Sequence, residues 1–375
     1  MIDSCSVPVK TSQQRQKLAA VSAVDATAQP TGTQSKWIPA AGNRMVISRT
    51  PVRISFFGGG TDYREYFERK GGAVLGGTID KHIYVSVNRL SNFFEYKIRV
   101  GYSKAELVNK VEDIVHPSVR ETLKFKKADG NLDIHIFADL PARTGLGSSS
   151  SFTTGFLNAL YALEGKIISK QQLAEEAVHI EQQMIKERVG CQDQFHAAFG
   201  GLNVIEFTKE KIAVRPVIIS KEKLTLLEES MMSFYTGLTR YASDILKEQV
   251  ENTRNGGKDG YLERMYQMVF EAEKIISDQS PQQMIENLGE LLHESWELKK
   301  RLSSRISNSY IDQLYRTALK AGAYGGKLSG AGSGGFLSMI VRKENQQAVR
   351  DALNGLLEVN FKLENEGSKI IYLQN

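Results

Sequence analysis

Three sets of side chains in this sequence can do chemistry together. The first is a run of hydroxyls, Ser148 to Ser151, directly after Gly145 and Gly147 in LPARTGLGSSSSF (140–152). Glycines there remove the Cβ atoms that keep a large anion off the backbone. Serines at the start of a helix can cap its free N–H groups or face a ligand. A helix N-terminus with bare N–H groups and a positive dipole end is suited to phosphate. The second set is a pair of carboxylates, Glu181 in HIEQQM and Asp193 in GCQDQ, twelve residues apart with Gly190 between them. They can converge on the mouth of the serine loop, one holding Mg²⁺ and the other orienting or deprotonating a hydroxyl. A solvated helical glutamate and a capping aspartate are the plainer readings of the same spacing. The third is Arg53 in the apolar run PVRISF, which needs an anionic partner or an exposed face. It precedes the turn GGGTDY (58–63), which carries Asp62.

The elements around these residues must place them. LDIHIFA (132–138) reads as a strand, and Phe152, Phe156, Leu157, Leu160 and Leu163 make one face of a following helix over 148–164. Strand, glycine-rich turn and helix is the context an anion loop needs. A second helix is expected over 170–187, then a turn at 189–194 opening a short helix to Phe199. Upstream, MVISRTPVRISFF, 71–90 and 93–100 carry a β pattern, and GLNVIEF with KIAVRPVII reads as a hairpin. The charged stretch 220–228 marks a boundary. Beyond it come a strand at 231–237 and helical patterns over 241–253, 259–278, 281–301 and 308–321. A third glycine-rich segment, GGKLSGAGSGG (325–335), then feeds a strand at 336–341, a helix over 344–357 and a last strand near 369–373. That segment is not a Walker A loop, because Leu328 follows Lys327 where Ser or Thr is required. No G-x-S-x-G occurs, which removes the hydrolase elbow.

The chain has 375 residues, 41% hydrophobic and 24% charged, which suits a soluble protein of two domains. Residues 1–43, rich in Ser, Thr, Gln and Ala, read as a disordered leader; 44–222 and 223–375 read as the two domains. Mixed strands and helices in each half, without strict alternation, indicate an α+β fold. The net charge of +5 suits small anionic substrates and does not demand nucleic acid. Cys5 and Cys191 give no disulfide or zinc spacing, so a reducing, cytoplasmic compartment is expected. No apolar run is long enough to span a membrane. Tyr261, Met265 and Met268 serve either a homodimer face or the core.

Taken together, the three glycine-rich segments resemble the GHMP kinases, the small-molecule kinases of galactose, homoserine, mevalonate and phosphomevalonate. PVRISFFGGGTDY matches the first motif of that family, PARTGLGSS (141–149) the second and KLSGAGSGG (327–335) the third. The resemblance covers about 45–375. RISFFGGGTDY, GGAVLGGTID, LLHESWELKKRLSSRISN and GGKLSGAGSGGF are most similar to its sugar-phosphate branch, the D-glycero-D-manno-heptose 7-phosphate kinases. It implies a two-domain α+β fold with a ferredoxin-like C-terminal domain. It also implies ATP and Mg²⁺ as cofactors and a sugar phosphate as substrate.

Residue by residue, the resemblance implies that Pro141, Arg143, Gly145, Leu146, Gly147, Ser148, Ser149 and Ser150 bind ATP. Ser148 and Glu181 would hold Mg²⁺. Asp193 would orient the sugar hydroxyl or accept its proton, and Arg53 would stabilise charge at the transferring phosphoryl group. Gly59, Gly60, Thr61 and Asp62 would bind sugar hydroxyls. Gly330, Ala331 and Gly332 would close on the substrate from the second domain. The implied reaction phosphorylates the anomeric hydroxyl of a heptose 7-phosphate. The same chemistry on a hexose or fucose-like sugar, and a catalytically silent sensor of sugar and ATP, are the alternatives. Arg64, Lys81, Arg240, Lys300, Arg301 and Arg305 are the cations available for a substrate phosphate, and KKR (299–301) reads more simply as a solvated helix face.

Overall fold

A computed structural model describes residues 45–128, 130–238, 256–330 and 332–374. The expected leader, the helix expected over 241–253, and the candidates Arg240 and Ala331 lie outside the described residues.

The first half runs β1 (Val46–Phe57), α1 (Arg64–Lys70), β2 (Gly72–Arg89), β3 (Ile98–Gly101), β4 (Ala105–Val108), α2 (Pro117–Phe125) and β5 (Leu132–Ala138). It continues through α3 (Ser148–Leu163), α4 (Lys170–His179), α5 (Gln192–Phe199), β6 (Leu202–Phe207), β7 (Ile212–Pro216) and α6 (Lys221–Ser230). The sheet order is β1-β2-β5-β3-β4, with β6 and β7 attached to the start of β2 and the last strand of the chain, β12 (Lys369–Leu373), on the outer side of β1. β2 is 18 residues long, so it pairs β6 along Gly72–Gly77 and β5 along Ile83–Arg89. β3 begins later than its apolar pattern suggests, because residues 92–95 turn and leave Phe93 and Phe94 in solvent. Residues 220–228, read as a charged boundary, lie within α6 and its Ser220 cap.

The second half runs β8 (Met231–Tyr235), α7 (Asp259–Asp278), α8 (Pro281–Lys300), α9 (Ser309–Lys320), β9 (Ala323–Leu328), β10 (Phe336–Val341), α10 (Gln346–Ala352) and β11 (Leu357–Glu358). The order β11-β8-β10-β9 is antiparallel throughout, the fourth-first-third-second arrangement of a ferredoxin-like sheet. The fold is α+β, as the motifs implied. The chain then returns, and β12 (Lys369–Leu373) pairs with β1 in the first sheet. β9 was not expected, since its glycines read as loop. A Cβ on Gly325 would stand 2.1 Å from the Gly289 carbonyl, so the missing side chain lets α8 lie directly on the strand.

The apolar face of α3 closes the first core. Phe152, Phe156, Leu160 and Leu163 pack with β1, β2 and β5, and Leu157 turns to Leu173 and Phe195 of α4 and α5. Each such side chain contributes about 1.5–3 kcal/mol. Met265 and Met268 are fully buried, which puts both in the core, and Tyr261 is half-buried beside Arg301. No helix among the described residues is long and apolar enough to cross a membrane.

Candidate active site

α3 starts at Gly147, whose backbone is left-handed, and no side chain caps it among the described residues. Its first N–H groups are therefore open to an anion, with the dipole favouring negative charge. The four serines divide their labour. Ser148 is half-buried and Ser149 exposed at the helix mouth. Ser150 and Ser151 point inward, to Glu181 Oε2 and to the Pro51 carbonyl, each at 2.8 Å.

β1 brings Arg53 under this mouth. Its backbone N–H donates to the Leu146 carbonyl at 2.9 Å, which ties strand to loop. Its guanidinium forks onto Asp193, Nε to Oδ1 and Nη2 to Oδ2, both at 2.8 Å, while Nη1 donates to the Gly145 carbonyl. Arg53 is 6% exposed, and the Asp193 side chain keeps 23% of its surface open. A Cβ on Gly147 would stand 3.1 Å from Asp193 Oδ2, so this carboxylate lies at the open helix mouth. A bidentate Arg–carboxylate pair fixes the plane as well as the place of the acid.

Glu181 behaves differently. The regular helix α4 ends at His179 rather than at 187, and one π turn, Ile180–Met184, rotates Glu181 fully inside. Ser150 and Gln194 donate to its Oε2, and its Oε1 is buried without a partner among the described residues. Burial pushes its carboxyl up to about 7. Glu181 and Asp193 thus sit on two sides of the serine helix start. The hydroxyl that reaches Glu181 is Ser150's, and Ser148 stands outside that bond.

The first glycine turn lies beside them. Asp62 is buried, with Oδ1 accepting from Gly60 N–H at 2.9 Å and Oδ2 from Gln192 Nε2 at 3.0 Å. Burial raises its carboxyl above the usual range. Thr61 is fully buried, and its hydroxyl lies 2.8 Å from the carbonyls of Gly58 and Ala73, holding the turn to β2. Gly59 faces Ser55 Oγ and Gln192, and both Ser55 Oγ and Gln192 Oε1 are buried without partners among the described residues. The turn therefore offers unused polar atoms even though the Thr61 hydroxyl is engaged.

The third loop meets the second back to back. Gly145 and Gly330 both have positive φ. A Cβ on Gly330 would stand 2.4 Å from Gly145 Cα, and one on Gly145 would stand 2.4 Å from the Ser329 carbonyl. Only glycine fits at either place. Gly332 packs instead on the Ile306 carbonyl, and Ser333 donates to the carbonyl of Arg305.

Two residues that the sequence did not single out complete the cluster. Lys299, in the last turn of α8, is 7% exposed and donates to the Gly330 carbonyl at 2.5 Å. Burial, then Arg53, brings its ammonium down to about 8, against Asp62 and Asp193. Lys327 of β9 is 3% exposed and donates to the Phe56 carbonyl at 3.0 Å. Burial pushes it well down, and Lys299 and Arg53 add to this. The signal for Lys299 was present, since Leu288, Leu292 and Trp296 set an α8 stripe that reaches 299 at the next helical step. His196, one turn beyond Asp193, is fully buried and kept neutral at about 3 by burial and Arg53, so it is not a base here. Among the other cations, Lys300 pairs with Glu297 and Asp312, Arg64 with Glu68, and Lys81 with Asp80.

An uncapped helix mouth, a fixed Arg–Asp pair beneath it and a buried glutamate beside it are parts that phosphoryl transfer can use. The chain is also similar to known proteins. Residues 109–201 match the GHMP kinases N terminal domain, and residues 279–358 match the GHMP kinases C terminal domain. The two matches give the chain the N- and C-terminal domains of a GHMP kinase. It is an ATP-dependent kinase. It is 28% identical over 344 residues to D-glycero-alpha-D-manno-heptose 7-phosphate kinase of Campylobacter jejuni, covering 87% of this chain and 98% of that protein. It is 26% identical over 345 residues to galactokinase of Pyrococcus furiosus, covering 82% of this chain and 92% of that protein. Among solved structures, a D-glycero-D-manno-heptose 1-phosphate kinase from Bacteroides thetaiotaomicron shares the fold with TM-score 0.70 at 22% identity, over 88% of this chain and all of that one.

Proposed function

We propose that this GHMP kinase transfers the γ-phosphoryl group of ATP to the anomeric hydroxyl of D-glycero-D-manno-heptose 7-phosphate, giving the 1,7-bisphosphate and ADP. The reaction type rests on one observation, the Arg53–Asp193 fork lying beneath the uncapped start of α3. The sugar rests on the likeness to the Campylobacter jejuni enzyme, which extends over nearly its whole length.

In this reading Pro141, Arg143 and the backbone from Gly145 to Ser149 line the ATP phosphates. Asp193 accepts a hydrogen bond from the anomeric hydroxyl and aims its oxygen at the γ-phosphorus. The new O–P bond forms as the bond to the ADP oxygen breaks, and the hydroxyl proton leaves by way of Asp193. Arg53 holds that carboxylate and lends positive charge to the transferring group. Asp62, Gly59 and Gly60, with Ser55 and Gln192, bind the sugar body. Gly330 and Gly332 close on the substrate.

The residues present fit a divalent cation. Glu181 Oε1 is a buried acceptor without a partner among the described residues, and burial, with Glu187 adding to it, raises its carboxyl against the hydrogen bonds it accepts. Glu181 and Ser148 would hold Mg²⁺, which supplies charge neutralisation to the ATP phosphates.

The test is ADP release from Mg-ATP by the purified protein, against sugars with and without a terminal phosphate. Turnover confined to heptose 7-phosphate supports the reading. Turnover with a free hexose favours the second reading, the same chemistry on an unphosphorylated sugar, which the likeness to galactokinase supports. ATP binding without turnover on any sugar would leave a sensor.

A further inference from the structure

Three cations and two carboxylates meet between the two halves of this site. Arg53 and Asp193 neutralise one another through the fork. Among the described residues, Asp62 is then the one carboxylate left to face both Lys299 and Lys327. The site therefore carries a buried positive excess, and buried charge needs a partner.

The two lysines are not equivalent. Lys327 borders a cavity of ≈ 10 Å³ among Ile54, Phe56, Leu292 and Met339, too small for a ligand. It is held behind the site on the Phe56 carbonyl. Lys299 stands forward, on the carbonyl of the glycine whose other face meets Gly145. Asp62, in the first glycine turn, is among the carboxylates that act on it. The unpartnered Ser55 Oγ and Gln192 Oε1 mark that same turn as a polar pocket. A neutral carbonyl is also a partner that an anion can replace at small cost, because a charge-assisted bond to phosphate is the stronger one.

We propose that Lys299 Nζ takes the phosphate that the acceptor already carries, leaving the Gly330 carbonyl for a phosphate oxygen, and so makes the site select sugar phosphates over free sugars. This rests on the acceptor reading given under Proposed function. Of the other cations named for this role, Arg64, Lys81 and Lys300 are paired with carboxylates, Arg301 lies over the Tyr261 ring, and Arg240 lies outside the described residues. Lys327 stays on the Phe56 carbonyl.

The experiment compares Lys299→Gln, Lys299→Arg and the unmodified chain on D-glycero-D-manno-heptose 7-phosphate and on the same heptose without phosphate, with thermal melting as a fold control. Lys299→Gln should raise the KM for the 7-phosphate about tenfold or more, with KM for ATP moving less than about twofold. The preference for the phosphorylated acceptor should fall by about the same factor, and Lys299→Arg should restore most of it. A kcat loss equal on both acceptors, with unchanged KM, would place Lys299 on the transferring group and overturn the assignment. If Lys299→Gln does not fold, inorganic phosphate is tested on the unmodified enzyme. Inhibition competitive with the acceptor supports the assignment, and inhibition competitive only with ATP overturns it. An unmodified enzyme that prefers the free heptose, or uses neither, refutes the acceptor reading and this inference together. One that prefers the 7-phosphate, in a Lys299→Gln variant as much as before, refutes this inference alone.

Discussion

The two halves of the chain bring charge to the site in opposite ways. The N-terminal half delivers Arg53 and Asp193 already locked to each other by the fork. The C-terminal half delivers Lys299 and Lys327 bonded, among the described residues, to the carbonyls of Gly330 and Phe56. A charge paired with a charge is fixed in geometry and gains little from a ligand. A charge resting on a neutral carbonyl keeps its capacity for an anion. The first arrangement suits chemistry, which demands alignment, and the second suits recognition and closure.

Removing the charge from the locked pair should have the largest effect. Asp193→Asn should lower kcat about 10³-fold or more while ATP still binds, because the helix mouth is untouched. It should also leave Arg53, 6% exposed, without its counter-charge, at a cost of about 3–5 kcal/mol in stability. Steady-state turnover, ATP titration and thermal melting read the three effects. Retained turnover would remove Asp193 from the reaction.

The seam between the halves comes next. Gly330→Ala places a Cβ 2.4 Å from Gly145 Cα on a backbone with φ of 75°. The conformation alone costs about 1–3 kcal/mol, and the overlap forces the two loops apart. Both the melting temperature and turnover should fall. Unchanged turnover would mean that the contact of the loops is incidental to closure.

Much of this was legible in the sequence, but unevenly. The serine loop, Arg53, Glu181 and Asp193 could be named because glycine turns and a misplaced arginine are local signals. Their convergence is a property of the sheet, which sets β1 against the loop after β5. The π turn that hides Glu181 carries no local mark, since HIEQQM continues a helical pattern. Lys299 was masked by its neighbours: KKR reads as solvent-facing, yet Lys300 pairs outside while Lys299 points in. Adjacent residues on a helix face about 100° apart, so composition alone cannot divide such a run. β9 was missed because its glycines, which allow α8 to approach, are also loop signals.

A gentler test uses pH on the unlocked half. Lys299 is faced by Arg53, Lys327, Asp62 and Asp193, and its ammonium loses its proton near pH 8 rather than at 10.5. Between those values the unfolded chain holds the extra proton, so stability should rise with pH across that window, by up to about 3 kcal/mol. Acceptor binding should move the other way. KM for the heptose 7-phosphate should climb as pH passes about 8, and the climb should vanish in Lys299→Arg, whose charge persists. A flat profile in the unmodified enzyme would show that the Lys299 charge is not what the acceptor meets.

The smallest effect separates the two lysines. Lys327 is buried among apolar side chains, and Lys299 pushes its ammonium down while taking no shift from it. Lys327→Met removes a desolvated lysine but leaves the Phe56 carbonyl without its donor. Those terms oppose each other, and a net gain of about 1 kcal/mol is expected. The proton on Lys299 should stay where it is. The rise in acceptor KM should therefore still start near pH 8 in Lys327→Met, alongside a slightly higher melting temperature. A rise that moved to higher pH would mean that Lys327 is charged when Lys299 titrates. The positive excess of the C-terminal half would then belong to both lysines.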